Sequence, residues 1–81
     1  MDGAELSQRF GRNLREYRES LGLSQEAFAA EVMDVSRIYW NHIERGTRNL
    51  TLRTVAWIAH QIEIDPADLL SERLPRRYLR R

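Results

Sequence analysis

The chain has 81 residues, of which 42% are hydrophobic and 31% charged, with no cysteine and a formal net charge of +1. That length supports one small core and not two domains, and the missing cysteines exclude a disulfide scaffold, a thiol nucleophile and a cysteine-based zinc site. A nearly neutral chain does not hold nucleic acid by bulk charge, so any such function must lie in how its charges are placed.

In chain order, Leu6, Phe10, Leu14, Tyr17 and Leu21 recur at helical steps with charged residues between them and Gly22 after, which predicts an amphipathic first helix with a glycine stop. Ser24 is a suitable N-cap for a second, short helix whose apolar side is Ala27, Phe28, Ala30 and Val32, with Ala29 allowing close approach and an end near Met33 or Asp34. Ser36 caps a third helix that Gly46 closes as a left-handed C′ residue. Thr51 caps a fourth, with Leu52, Val55, Ala56, Ala59 and Ile62 on one side, and Asp65-Pro66 opens a brief fifth through Leu69 and Leu70. No segment alternates long enough to make a strand, so the fold class is all-α. The domain is expected over residues 1–72, followed by an arginine-rich tail, 73–81, broken by Pro75 and frayed unless Leu74, Tyr78 and Leu79 dock on something. Nothing at the start resembles a signal sequence and no apolar run approaches the ~20 residues needed to cross a bilayer, so a soluble cytoplasmic protein with no membrane contact is expected.

The third helix has an unusual outer side. At about 100° per residue, Trp40 and Ile43 share the side that faces the core, while Arg37, Ile38, Asn41, His42 and Arg45 fall together on the opposite side. Arginine and asparagine match guanine and adenine edges in the major groove, histidine can bond a base or a phosphate, and an exposed aliphatic group can meet a thymine methyl. A solvated surface helix would carry the same polar residues but has no use for Ile38. Two short capped helices separated by a tight turn are also the arrangement of a helix-turn-helix. All thirteen basic residues are arginine, which suits phosphate and guanine, although a GC-rich genome gives the same bias.

The runs LGLSQEAFAAEV, VSRIYWNHIERGTRN and LTLRTVAWIAHQIEIDPADLL resemble the Cro and phage-repressor (Xre-like) helix-turn-helix family, across roughly residues 7 to 70. The run Glu44 to Thr51 is also similar to the small controller proteins of restriction-modification systems. The resemblance implies a compact five-helix lambda-repressor-like domain acting as a transcriptional regulator, bound to double-stranded DNA as a homodimer. It implies that Gln25 contacts the DNA backbone or positions a base-reading side chain, that Ser36, Arg37, Ile38, Tyr39, Asn41 and His42 form the recognition surface, and that Arg45, Arg48 and Asn49 hold phosphates. It also implies an ion pair between Arg18 and Glu44. The chain departs from the family in having one extra residue between Ala29 and Glu44, expected to lengthen the turn, and in placing Trp40 where a smaller aliphatic residue is usual.

Catalysis is not expected. His42 and Glu44 make an HxE fragment with no cysteine to complete a zinc site, two lone histidines form no metal cluster, and the four glycines make no phosphate loop. No metal and no cofactor is implied. Trp57 projects opposite the apolar side of the fourth helix, so with Leu69, Leu70, Leu74 and Tyr78 it is a candidate two-fold dimer surface, or else a cover for the tail. A protein-interaction module, such as an antitoxin or adaptor binding a protein partner through the tail, is the alternative from another class.

Overall fold

The computed structural model describes residues 1–80, which form α1 (Gly3–Ser20), α2 (Gln25–Ala27, continued by a π-helical stretch Phe28–Met33), α3 (Arg37–Arg45), α4 (Leu52–Ile62), α5 (Pro66–Leu69) and a 3-10 turn at Arg76–Tyr78. The helix starts are set by side-chain oxygens that take up otherwise orphaned N–H groups. Ser24, Ser36 and Thr51 each accept from the N–H three residues on at 3.1 Å, and Asp65 accepts from Ala67 at 2.8 Å. α1 begins three residues before its first apolar position, because Asp2 and Glu5 form a reciprocal capping box.

Phe10, Leu14, Phe28, Trp40, Ile43, Ile58, Leu69 and Leu74 are fully buried and join the helices in one core. Tyr17 packs edge-on to Phe28 at 6.3 Å and Phe28 lies 5.1 Å from Trp40, so a chain of aromatic contacts runs from α1 through α2 to α3. Two polar details of α1 fix how other elements dock. Asn13 is buried and its Nδ2 donates to the carbonyls of Leu69 and Ser71, both at 2.8 Å, tying the end of α5 to α1. At Gly11 the backbones of α1 and α3 meet: a Cβ there would lie 2.5 Å from the Ile43 carbonyl oxygen, so only glycine permits the crossing.

The extra residue of the helix-turn-helix does not lengthen the turn, as expected from sequence, but is taken up inside the second helix. From Phe28 the helix widens to π geometry, with the Asp34 N–H donating to the Ala29 carbonyl five residues back, and a π turn holds one more residue than an α turn. Asp34 then adopts the left-handed conformation that glycine favours (φ 56°), and Ser36 already caps α3. Widening also changes which residues face inward: Phe28, Ala29 and Met33 are buried, whereas Ala30, placed on the apolar side by the regular period, is exposed.

Other apolar residues differ from expectation. On α4, Val55, Ile58, Ala59 and Ile62 form the buried side, while Leu52, at the first position of the helix, is 83% exposed and Ala56 is also outside. Leu69 and Leu74, assigned to a dimer surface, are fully buried and cannot offer one. The tail is not frayed. Leu74 enters the core, Tyr78 and Leu79 pack against it, and the Tyr78 hydroxyl donates to Asp68 at 2.6 Å beside a 3.0 Å Arg77–Asp68 ion pair. The Arg80 N–H donates to Ser20 Oγ at 3.1 Å. Arg81, the end of the expected tail, lies outside the described residues.

Candidate nucleic-acid interface

The inner side of α3 is polar as well as apolar, and its centre is Glu44. The Glu44 side chain is 2% exposed, and its carboxylate accepts from Arg18 Nε at 2.7 Å and Nη2 at 3.1 Å, from Trp40 Nε1 at 2.6 Å and from Gln25 Nε2 at 3.0 Å. The remaining Arg18 nitrogen, Nη1, donates to the Leu23 carbonyl at 2.8 Å in the loop between α1 and α2. The ion pair therefore links α1, the loop, α2 and α3 at once, and no buried polar side-chain atom among the described residues lacks a partner. A buried pair adds little net stability when desolvation is counted, but one with every donor placed admits few alternative geometries.

Trp40 belongs to this arrangement. The indole is fully buried beside the widened part of α2, tilted against the Phe28 ring, and its N–H reaches Glu44 one turn along α3. A smaller aliphatic residue could fill part of the space but could not donate. α3 is further seated by its end: Gly46 is left-handed (φ 70°) and a Cβ there would come 2.5 Å from Gln8 Cα on α1.

The outer side presents the residues singled out from sequence. Arg37, Ile38, His42 and Arg45 are exposed, Ile38 to 65%, and Arg48 and Asn49 are exposed in the loop that follows. Ser36 is exposed but its hydroxyl is occupied as the cap of α3. Tyr39 is half-buried, and the Arg48 guanidinium lies over its ring at 4.7 Å, which holds a flexible cation at the edge of the face. His42 Nδ1 is 2.9 Å from Thr47 Oγ1, so the imidazole is steadied and its other nitrogen points away from that contact. Asn41 is half-buried and donates to Gln25 Oε1 at 3.1 Å. Gln25 thus bonds both Glu44 and Asn41, and of its two expected roles the positioning one has an observed partner.

Residues that sequence reasoning did not single out are Gly11 and Asn13, together with the part of Trp40 as a donor. A glycine inside a helical pattern is itself a signal of close approach.

Residues 9–70 match the helix-turn-helix domain family. The chain is 38% identical over 69 residues to control protein C.MunI of a Mycoplasma species, covering 84% of this chain and 92% of that one. It is 42% identical over 62 residues to control protein C.BamHI of Bacillus amyloliquefaciens, covering 75% of each. Its structure is similar to that of the restriction-modification controller protein C.AhdI from Aeromonas hydrophila, with a TM-score of 0.68, 36% identity, and coverage of 85% of this chain and 99% of the other. The chain belongs to the helix-turn-helix controller-protein family. It is a DNA-binding regulator of the controller-protein type, in which α2 and α3 are the two helices of the motif and α1 and α4 hold them from behind. Among the described residues no helix is long and apolar enough to cross a membrane.

Proposed function

We propose that this controller protein regulates transcription from the cytoplasm by binding a palindromic operator as a homodimer, with α3 of each subunit in the major groove of one half-site and half-site centres ~34 Å apart. The observation that carries the reading is the contrast between the two sides of α3. The inner side is fixed by the Glu44 cluster, while the outer side leaves Arg37, Ile38 and His42 exposed and Asn41 half-exposed. These supply the donors, acceptors and apolar contact that major-groove edges recognise. Arg45, Arg48 and Asn49, at the end of α3 and in the loop that follows, contact phosphates beside the face. Regulation by site occupancy requires no catalytic residue, no metal and no cofactor.

With Leu69 and Leu74 in the core, the apolar surface left for a second subunit is Trp57, 39% exposed on the outer side of α4, and a cleft of about 160 Å³ between the starts of α1 and α4, where Leu6, Leu52 and Leu70 come together. A partner protein seated on the tail fits less well, because Leu74 is buried in this chain's core and Tyr78 and Leu79 are packed against it.

Selection of randomised duplex DNA by the purified protein, at near-physiological salt where nonspecific binding is weak, tests the reading. Recovery of an inverted repeat with half-sites one helical turn apart is the expected result, and sedimentation of the protein with that duplex should give two chains per site. Recovery of no motif, or one chain per site, would contradict it.

A further inference from the structure

We propose that the buried carboxylate of Glu44 sets the base preference of α3, by fixing through Gln25 which edge of the Asn41 amide is turned toward DNA; this rests on the reading that α3 enters the major groove. Hydrogen-bond polarity fixes each amide in turn. A carboxylate only accepts, so Gln25 must turn its NH2 group to Glu44 Oε1, at 3.0 Å. That turn sets the Gln25 carbonyl oxygen toward Asn41, and it too can only accept. Asn41 therefore faces it with Nδ2, at 3.1 Å. Turning the Asn41 amide over would set two carbonyl oxygens against each other at that distance. The free edge of Asn41 is in this way defined as Oδ1, an acceptor, beside the second Nδ2 hydrogen, a donor.

Adenine offers the complement of that edge in the major groove, an N6 amino donor next to the N7 acceptor, whereas guanine offers two acceptors, O6 and N7. An asparagine free to turn can give its NH2 group to guanine as readily as it meets adenine. One held from behind sets its oxygen against guanine O6. Glu44 is in turn held in place, because Arg18 donates to both of its oxygens, Trp40 donates to Oε2, and its side chain is nearly closed to water. Glu44 and Gln25 are positioning residues for Asn41, and the family's ion pair acquires a second role, polarising a chain of amides that ends at a base.

The test compares the wild-type protein with Gln25→Met, Asn41→Ala and the double variant on the duplex selected by the wild type. Each of the four base pairs is placed in turn at the position whose preference Asn41→Ala flattens. Wild type is expected to favour adenine over guanine there by about tenfold or more. Gln25→Met keeps the length of the side chain and removes both amide groups; it should lose most of that ratio with an unchanged salt slope, and in the Asn41→Ala background it should remove nothing further. An adenine preference retained by Gln25→Met, a further loss of preference in the double variant, or no position flattened by Asn41→Ala would each overturn the relay while leaving α3 as the reading helix. Failure of the wild type to select any motif would overturn the reading of α3 and the relay with it.

Discussion

α3 and α4 are built alike at their ends and differently along their inner sides. Each starts at a hydroxyl residue, Ser36 or Thr51, that accepts an N–H at 3.1 Å, and each ends in a left-handed residue, Gly46 or Glu63. The inner side of α4 is wholly apolar, with Val55, Ile58, Ala59 and Ile62, and that of α3 adds to Trp40 and Ile43 a carboxylate held by four donors. Apolar contact is non-directional and holds a helix in place; hydrogen bonds to a buried charge also fix its rotation and slide. The scaffold helix needs only the first, whereas a helix that must bring particular atoms to particular base edges needs both. The same contrast explains the two C-caps. Gly46 is pressed against Gln8, where no Cβ fits, and Glu63 stands in solvent, where a side chain meets only the conformational cost of the left-handed region.

The largest expected effect is that of Glu44→Ala, which leaves the Arg18 cation and the Trp40 indole buried without their acceptor and should cost about 3–5 kcal/mol in denaturant unfolding. A loss below about 1 kcal/mol would mean that α3 is held by apolar contact alone, like α4, and would break the comparison. Next come the two C-caps: Gly46→Ala should destabilise by about 1–3 kcal/mol, whereas Glu63→Gly should be neutral or stabilise by up to about 1 kcal/mol, both read from thermal melts. The N-caps, being equivalent, should respond equally, with Ser36→Ala and Thr51→Ala each costing about 1 kcal/mol. The smallest change in stability belongs to Ile38→Ala, within about 0.5 kcal/mol of the wild type because the side chain is exposed, and yet it should weaken preference for a thymine-bearing base pair in each half-site.

Helix order, caps and the outer face of α3 were legible in the sequence because each depends on local chemistry: a hydroxyl before an apolar period, a glycine after it, and a turn of 3.6 residues that sorts the faces. Legibility failed where tertiary packing decides. Leu52 falls on the apolar side by its period, but it is the first residue of α4 and projects beyond the core. Leu69 and Leu74 looked available for a partner because nothing local shows that the tail folds back, a step that relies on Asp68 meeting Tyr78 and Arg77. The extra residue between Ala29 and Glu44 was countable, but whether it sits in a turn or a widened helix depends on how Phe28 and Trp40 pack. The resemblance gave the Arg18–Glu44 pair, whereas the joining of Trp40, Gln25 and Asn41 to it is a matter of geometry.

The central claim is that the outer face of α3 reads bases while the arginine beside it holds phosphate, and the most direct measurement is a comparison of Asn41→Ala with Arg48→Ala on duplexes carrying every single base-pair change in the selected site. Asn41→Ala is expected to flatten preference at one position of each half-site and leave the others intact. Arg48→Ala is expected to weaken all duplexes by the same factor and to lower the salt slope by about 0.9, one phosphate's share. If the two variants gave the same profile, both uniform or both position-specific, the division between reading and holding would be wrong.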